Sequence, residues 1–315
     1  MKDKKVIFMG TPDFSVPVLK MLIENTNVIG VVTQPDKVNG RGNSVSFSPV
    51  KKVAIENNIK VFQPIKIRKE YEDILAMEPD IIITCAYGQI IPSVILDYPK
   101  YGCVNVHASL LPELRGGAPL HHAIIDGYSK TGMTIMYMAP GMDDGDIITQ
   151  KEVILDDSYT VGKLHDEMSN LGASLLLETL PSIFNGTNNR IKQDPDKVTF
   201  GLNIKPEEEI IDFSKDSRTI FNQVRGLNPF PGAYFKLNNE VYKIYECSYD
   251  LGNFGEPGVI LECSKKNFSI TTSDGKINIL NLKKEGKKRM NVIDFLNGNH
   301  DNLEGTRIWI KIKKN

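Results

Sequence analysis

The chain of 315 residues holds one tryptophan, five histidines and four cysteines, and it has almost no net charge, with 38 Lys and Arg against 39 Asp and Glu. Each scarcity excludes something. Cys85, Cys103, Cys247 and Cys263 form no CxxC pair and no Cys/His spacing of the kind zinc sites use. They are expected to pack as small apolar side chains in a reducing compartment. No apolar run approaches the roughly 20 residues of a membrane span. The opening residues, MKDKKVIFMG, enter an apolar strand without the h-region or cleavage site of a signal peptide, and the stretch is too acidic and short for a transit peptide. These absences point to a cytoplasmic protein. A net charge of -1 argues against positive potential over the whole surface, although a local basic patch can hide in a balanced sum. Hydrophobic residues at 41% and charged residues at 24% suit a globular chain of one or two domains, each able to bury a core.

What is present is ordered in two styles. Residues 6–9, 28–32, 60–62, 81–85 and 103–106 are short apolar runs. They alternate with helical periodicity over 16–23, 50–56 and 69–76. Such alternation predicts a Rossmann-like, doubly wound, mostly parallel sheet covered on both faces. Residues 134–138 and 147–150 add strands, and 161–184 reads as a long closing helix. After residue 188 the pattern changes. A polar stretch, 189–206, reads as a linker. Beyond it, a helical segment near 219–225 leads to short strands at 233–237, 241–245, 258–262, 268–272 and 276–282. Asn238-Asn239, Asp274-Gly275 and Pro257-Gly258 punctuate them. This predicts a small antiparallel barrel of the OB-fold kind. The expected division is therefore 1–188, a linker 189–206, and 207–315.

The densest candidate chemistry is Asn105-Val106-His107-Ala108-Ser109-Leu110-Leu111-Pro112, which runs off the C-terminal end of a strand, where open α/β sheets bind ligands. Strand alternation puts Asn105 and His107 on one side and Val106 on the other. An amide donor beside an imidazole can polarise a carbonyl and move a proton; position alone equally allows a structural histidine. Gly141-Met142-Asp143-Asp144-Gly145-Asp146 packs three carboxylates between glycines. It can be a solvated turn, a divalent-metal loop or the source of one carboxylate that orients a histidine, though the oxygen-ligand spacing of a calcium loop is absent. Gly10-Thr11-Pro12-Asp13-Phe14 follows the first strand, but it is not GxGxxG, and Pro12 removes a backbone donor that a phosphate would need. No GxSxG, P-loop or HExxH motif occurs.

Taken together, FMGTPDFSVPVL (8–19), VVTQPDKVNGRG (31–42), SPVK (48–51), AYGQIIP (86–92), NVHASLLPELRGGAP (105–119), TGMTIM (131–136), GMDDGDII (141–148) and NPFPGAY (228–234) resemble the methionyl-tRNA formyltransferases, a branch of the folate-dependent formyltransferases. The likeness runs almost from end to end. It implies formyl transfer from 10-formyltetrahydrofolate, as donor co-substrate, to the α-amino group of initiator methionyl-tRNA, with no metal. Asn105, His107 and Asp143 match the family's catalytic positions. Ser109, Leu110, Leu111 and Pro112 match the segment that lines its folate site, with Tyr87 and Gly88 beside it. The reaction needs donors for an oxyanion, which Asn105 and His107 can supply. It also needs a proton relay from amine to leaving nitrogen, which falls to His107 and Asp143.

The same resemblance sends loop 34–49 into the acceptor stem of the tRNA, with Lys37 and Arg41 as contacts. Asn43 and Ser44 stand where lysines are common in the family, and Glu113-Leu114 where a basic and an aromatic residue are common. From 265 to 289 there are eight basic and two acidic residues. A charge run can be a plain solvated face; on a barrel beside a tRNA-modifying domain it becomes a phosphate-tracking surface, with Lys283, Lys284, Lys287, Lys288 and Arg289 as contacts. The expectation is a bacterial, cytoplasmic, monomeric enzyme. Its rivals are a formyltransferase acting on a sugar-nucleotide amine, a glycinamide ribonucleotide formyltransferase and a non-catalytic RNA-binding protein.

Overall fold

In a computed structural model, which describes residues 1–39, 44–298 and 303–308, the chain forms two compact units. The first contains Met1–Pro119, Lys130–Ile154 and His165–Leu202. The second contains Leu120–Ser129, Leu155–Leu164 and the chain from Asn203 onward.

The first unit is built on a seven-stranded sheet. Strands β1 (Lys5–Gly10) and β2 (Asn27–Val32) are followed by a separate antiparallel ribbon of β3 (Lys37–Asn39) and β4 (Ser44–Ser46). Then come β5 (Val61–Phe62), β6 (Ile81–Cys85), β7 (Cys103–His107), β8 (Lys130–Tyr137) and β9 (Ile147–Ile154). The sheet order is β5-β2-β1-β6-β7-β8-β9, parallel from β5 to β7 and antiparallel for β8 and β9. The reversal at β9 has a simple cause: only nine residues separate it from β8, too few for the crossover a parallel neighbour requires. Chain order turns back between β1 and β6, which places a ligand crevice at the C-terminal ends of those strands and their neighbour β7.

The helices of this unit are α1 (Val16–Asn25), α2 (Pro49–Glu56), α3 (Glu72–Leu75), α4 (Ser93–Leu96) and most of α6 (Val161–Asn185), whereas α5 (Pro119–Ile125) belongs from Leu120 on to the second unit. Continuous apolar strands are satisfied because helices cover both faces. Ile7, Met9, Ile82 and Cys103 pack with Ile74 and Leu75 of α3 and Ile95 and Leu96 of α4. On the opposite face α6 presses close at Gly172. A Cβ there would stand 2.8 Å from Met133 Cε and 2.9 Å from Val106 Cγ1. Helix α3 is shorter than its periodicity predicts because Glu70 accepts from the backbone of Ile65 and Lys66 and closes a turn first. Helix α5, with His121 and His122 inside its apolar pattern, has no counterpart among the helices expected from periodicity.

The second unit has helices α7 (Ser217–Gly226) and α8 (Val292–Asn297). Its strands are β10 (Tyr234–Leu237), β11 (Glu240–Leu251), β12 (Ile260–Cys263), β13 (Phe268–Thr271), β14 (Gly275–Lys284) and β15 (Met290–Asn291). They form an antiparallel half-barrel in the order β10-β11-β14-β13-β12, with β15 on β14. Asn238 and Asn239, both at positive φ, make the two-residue turn joining β10 to β11. A register shift at Tyr245–Glu246 bends the twelve-residue β11. The sheet closes over Phe213, Phe235, Tyr242, Phe268 and Phe295, whose rings meet edge-to-face or stacked. The mostly parallel α/β sheet followed by a small antiparallel β unit is the architecture expected from the pattern of elements.

Candidate active site

Strand β7 carries Asn105 and His107 on one face, with Val106 turned to α6. Thr84 of β6 lies opposite Asn105 in the parallel register, and its hydroxyl donates to Asn105 Oδ1 at 2.8 Å. The amide is thereby oriented, and its Nδ2 has no partner among the described residues. His107 is 6% exposed. Its Nε2 donates to the carbonyl of Leu114 at 3.3 Å, since a carbonyl can only accept, and its Nδ1 stands 3.7 Å from Asp143 Oδ1. That gap is longer than a hydrogen bond and short enough to close by a small shift. The ring thus has an acceptor on each side, and a proton arriving at Nδ1 is met by a carboxylate. The other oxygen of Asp143 accepts from Gly116 N at 2.9 Å.

The loop after β7 is pinned from the antiparallel edge of the sheet. Thr134 of β8, paired with His107 across the ladder, donates its hydroxyl to Ser109 O at 2.6 Å and accepts from Leu111 N at 3.2 Å. Gln150 of β9 donates to Leu111 O at 2.9 Å, and Ser109 Oγ donates to Glu113 O at 2.6 Å. Leu111 packs with Met136 and Ile147 in a small apolar cluster, and Leu110 lies against Gly132. Of the other two residues expected at the folate site, Gly88 takes a positive φ, and the polar partners of Tyr87 are found at its backbone. The Tyr87 carbonyl accepts from Thr11 Oγ1 and Gln34 Nε2, both at 3.1 Å. The Tyr87 ring packs into the core with Ile67 and Ile91. Its hydroxyl is buried without a partner among the described residues, and burial, reinforced by Glu70, pushes its pKa up.

The acidic loop sorts its members. Asp143 turns to His107, whereas Asp146 lies 3.4 Å from Arg190 Nε. Among the described residues no three His, Cys, Asp or Glu side chains group closely enough to hold a metal ion. Burial pushes the thiols of Cys85, Cys103 and Cys247 up to about 12, which keeps them in the unreactive protonated form.

Thr84 and Gln150 lie in no quoted motif and Thr134 in TGMTIM without an assigned role; what each does arises only from strand pairing. The stretch read as a linker also takes part. Ile191 and Ile147 exchange two backbone hydrogen bonds, and Phe200 bridges Arg115. Residues 189–202 therefore belong to the first unit.

The expected tRNA contacts differ in how freely they stand. Lys37 is exposed at the start of the ribbon, and Arg41 lies outside the described residues. Lys51, at the base of the ribbon, is bound to Asp36 and Gln63 and covers the ring of Phe47. In the second unit Lys283, Lys287, Lys288 and Arg289 are exposed. Lys284 is held by Glu240 at 2.7 Å over the Tyr242 ring. The Arg289 guanidinium stacks 4.4 Å from the centre of the Tyr245 ring, with Nε donating to Asn281 Oδ1.

Comparison with known proteins gives this arrangement a context. Residues 4–180 match the family model "Formyl transferase", and residues 203–300 match "Formyl transferase, C-terminal domain". A methionyl-tRNA formyltransferase of Bacillus cytotoxicus is 51% identical over 299 residues, covering 93% of this chain and 95% of that protein. One from Listeria monocytogenes is 48% identical over 306 residues, covering 96% and 98%. Among solved structures, an N-formyltransferase from Helicobacter canadensis superposes with a TM-score of 0.64 at 22% identity, covering 88% of this chain and 98% of that one. A methionyl-tRNA formyltransferase from Clostridium thermocellum gives 0.55 at 20% identity, covering 81% and 96%. At those identities the structural matches speak for the fold.

Proposed function

The chain belongs to the formyl transferase family, and from that premise we propose how it works. It transfers the formyl group of 10-formyltetrahydrofolate to the α-amino group of initiator methionyl-tRNA, for the start of translation. The observation that carries the reading is the meeting of Asn105, His107 and Asp143 at the C-terminal end of β7.

The residues present suit the donor. Asn105 Nδ2, without a partner among the described residues, can donate to one reacting carbonyl, and the buried apolar cluster of Leu111, Met136 and Ile147 backs the loop beside it. The backbone of Tyr87 and Gly88 and the segment Ser109, Leu110, Leu111 and Pro112 would hold it. When bound, it supplies an acyl carbon on a nitrogen that can leave once protonated. Asn105, braced by Thr84, donates to the oxygen that gains charge during transfer. A donor fixed before the reaction spends nothing on reorientation. His107 takes the proton shed by the attacking amine, Asp143 stabilises the charged ring, and the proton is then delivered to the departing nitrogen.

The tRNA is held by basic side chains in both units: Lys37 and Arg41 of the first, and Lys283, Lys287, Lys288 and Arg289, with Lys284 in support, of the second. On this reading the expected catalytic domain, 1–188, extends through the docked residues 189–202, the chain from 207 to 315 binds tRNA, and the enzyme acts as a monomer in a bacterial cytoplasm. No helix among the described residues is long and apolar enough to cross a membrane.

The test is an assay of the purified chain with 10-formyltetrahydrofolate. Charged initiator tRNA should be formylated and free methionine should not. Transfer to a sugar-nucleotide amine with none to tRNA would overturn the reading.

A further inference from the structure

Asp143 occupies the left-handed region, at φ 47°, a conformation a non-glycine residue keeps only when its surroundings impose it. The surroundings here come from Gln193, fifty residues further along the chain. Its Nε2 donates to the carbonyl of Asp143 at 2.7 Å and to that of Gly145 at 2.9 Å. Its Oε1 accepts two bonds from the fork of Arg115, from Nε at 3.0 Å and Nη2 at 2.7 Å. The guanidinium can only donate and the two carbonyls can only accept, so the amide has one possible orientation. Charge-assisted bonds at Oε1 also polarise the amide and strengthen its donors on the far side.

Arg115 is itself fixed. Its backbone N donates to Thr199 O at 2.9 Å, and its carbonyl accepts from Gly201 N at 2.8 Å. It sits between the two residues that touch the catalytic pair. The Leu114 carbonyl receives His107 Nε2, and Gly116 N donates to Asp143 Oδ2. One bracket therefore holds the backbone on both sides of the His107–Asp143 gap.

We propose that Gln193, clamped by Arg115, is a positioning residue that sets the distance between Asp143 and His107 for proton transfer. The inference rests on the role given to Asp143 above. It explains why an amide and not a carboxylate stands here: glutamate would keep the bonds to Arg115 but turn an oxygen towards two carbonyls.

The test is steady-state formylation of methionyl-tRNA by the full chain carrying Gln193→Glu or Gln193→Met. The expected result is a kcat about 10- to 100-fold lower, since a displacement of an ångström in the reacting geometry costs that much. KM for the formyl donor and for the tRNA should stay close to those of the unmodified chain, and Arg115→Lys should fall between. In an Asp143→Asn background the same Gln193 changes should cost nothing further, because the residue acts through Asp143; a merely structural role would multiply the two losses. Should Gln193→Met fail to fold, Gln193→Glu, of the same size, carries the test. Unaltered kcat in a folded Gln193→Glu variant beside a slow Asp143→Asn enzyme overturns this inference alone. Full activity of Asp143→Asn overturns the reading of the site itself.

Discussion

Around β7 each polar side chain has an assigned neighbour, whereas along β14 and the turn that follows it most of the charge stands in water. Asn105 is braced by Thr84, His107 lies between a carbonyl and a carboxylate, and the loop behind them is tied by Thr134 and Gln150. Lys283, Lys287 and Lys288 are exposed, whereas Lys276, Lys284 and Arg289 are held, by Asp250, by Glu240 and by Tyr245 with Asn281. On the function proposed above, the difference follows from what each region would have to do. Stabilising a developing charge requires donors in place beforehand, whereas following a phosphate backbone requires positive charge at the right density and tolerates loose geometry. The charge totals agree: 21 basic residues face 24 acidic ones up to residue 206, and 17 face 15 beyond it. The near-zero net charge is a cancellation between regions.

If that contrast holds, the largest effect belongs to His107. Replacing it by Ala should lower turnover on methionyl-tRNA by about 10²- to 10⁴-fold, the range of a lost general acid–base. Affinity for tRNA, measured by filter binding, should barely change. A variant with ordinary turnover would remove His107 from the chemistry and break the comparison at its stronger end.

Unequal parts of this arrangement were visible in the amino acids. Asn105 and His107 were legible because two residues apart on a strand means one face, and the following SLLP loop announced a strand end. From its own loop Asp143 was legible only as one of three carboxylates, and the family resemblance alone singled it out, since a physical choice among them needs the approach of His107 from β7. Thr84 and Gln193 were invisible. Their bonds reach across 21 and 50 residues through sheet pairing and loop docking, and no local period encodes such a meeting. The antiparallel turn of β8 and β9 and the docking of residues 189–202 escaped for the same reason. Hydrophobic periodicity announces an element and its buried face, not its neighbour. The boundary between units was similarly hidden, because 120–129 and 155–164, embedded in the α/β pattern, belong to the second unit.

A smaller effect should come from the exposed charges. Changing Lys287, Lys288 and Arg289 together to Ala should weaken tRNA binding and reduce the slope of log affinity against log salt by up to about three, roughly one per lost phosphate contact. Turnover at saturating tRNA should be almost untouched, the reverse of the His107 result. Lys284→Ala sharpens the contrast between the end of β14 and the turn that follows: already neutralised by Glu240, it should shift the salt slope less than the triple change does. An unchanged slope in the triple variant would reduce the segment to a solvated face.

The smallest effect tests a charge in the first unit that is pinned like the active site but lies at the base of the ribbon bearing Lys37. The Lys51 ammonium, and after it the Gln63 amide, hold the Asp36 carboxyl below the usual aspartate range. A carboxyl lowered on folding stabilises the native state fully above its unfolded value, about 3.9, and ceases to do so as pH falls through the lower native value. Asp36→Asn should therefore reduce the midpoint of thermal unfolding by a constant amount from pH 8 to about pH 5, and the gap should narrow only below that. A gap that persists unchanged to the lowest pH at which both proteins fold would show that Asp36 holds the ribbon by packing and neutral hydrogen bonds. A narrowing gap would make the base of the ribbon ionic, and Lys51 would then be unavailable to a phosphate while Asp36 holds it, leaving the exposed Lys37 as the described ribbon lysine able to meet one.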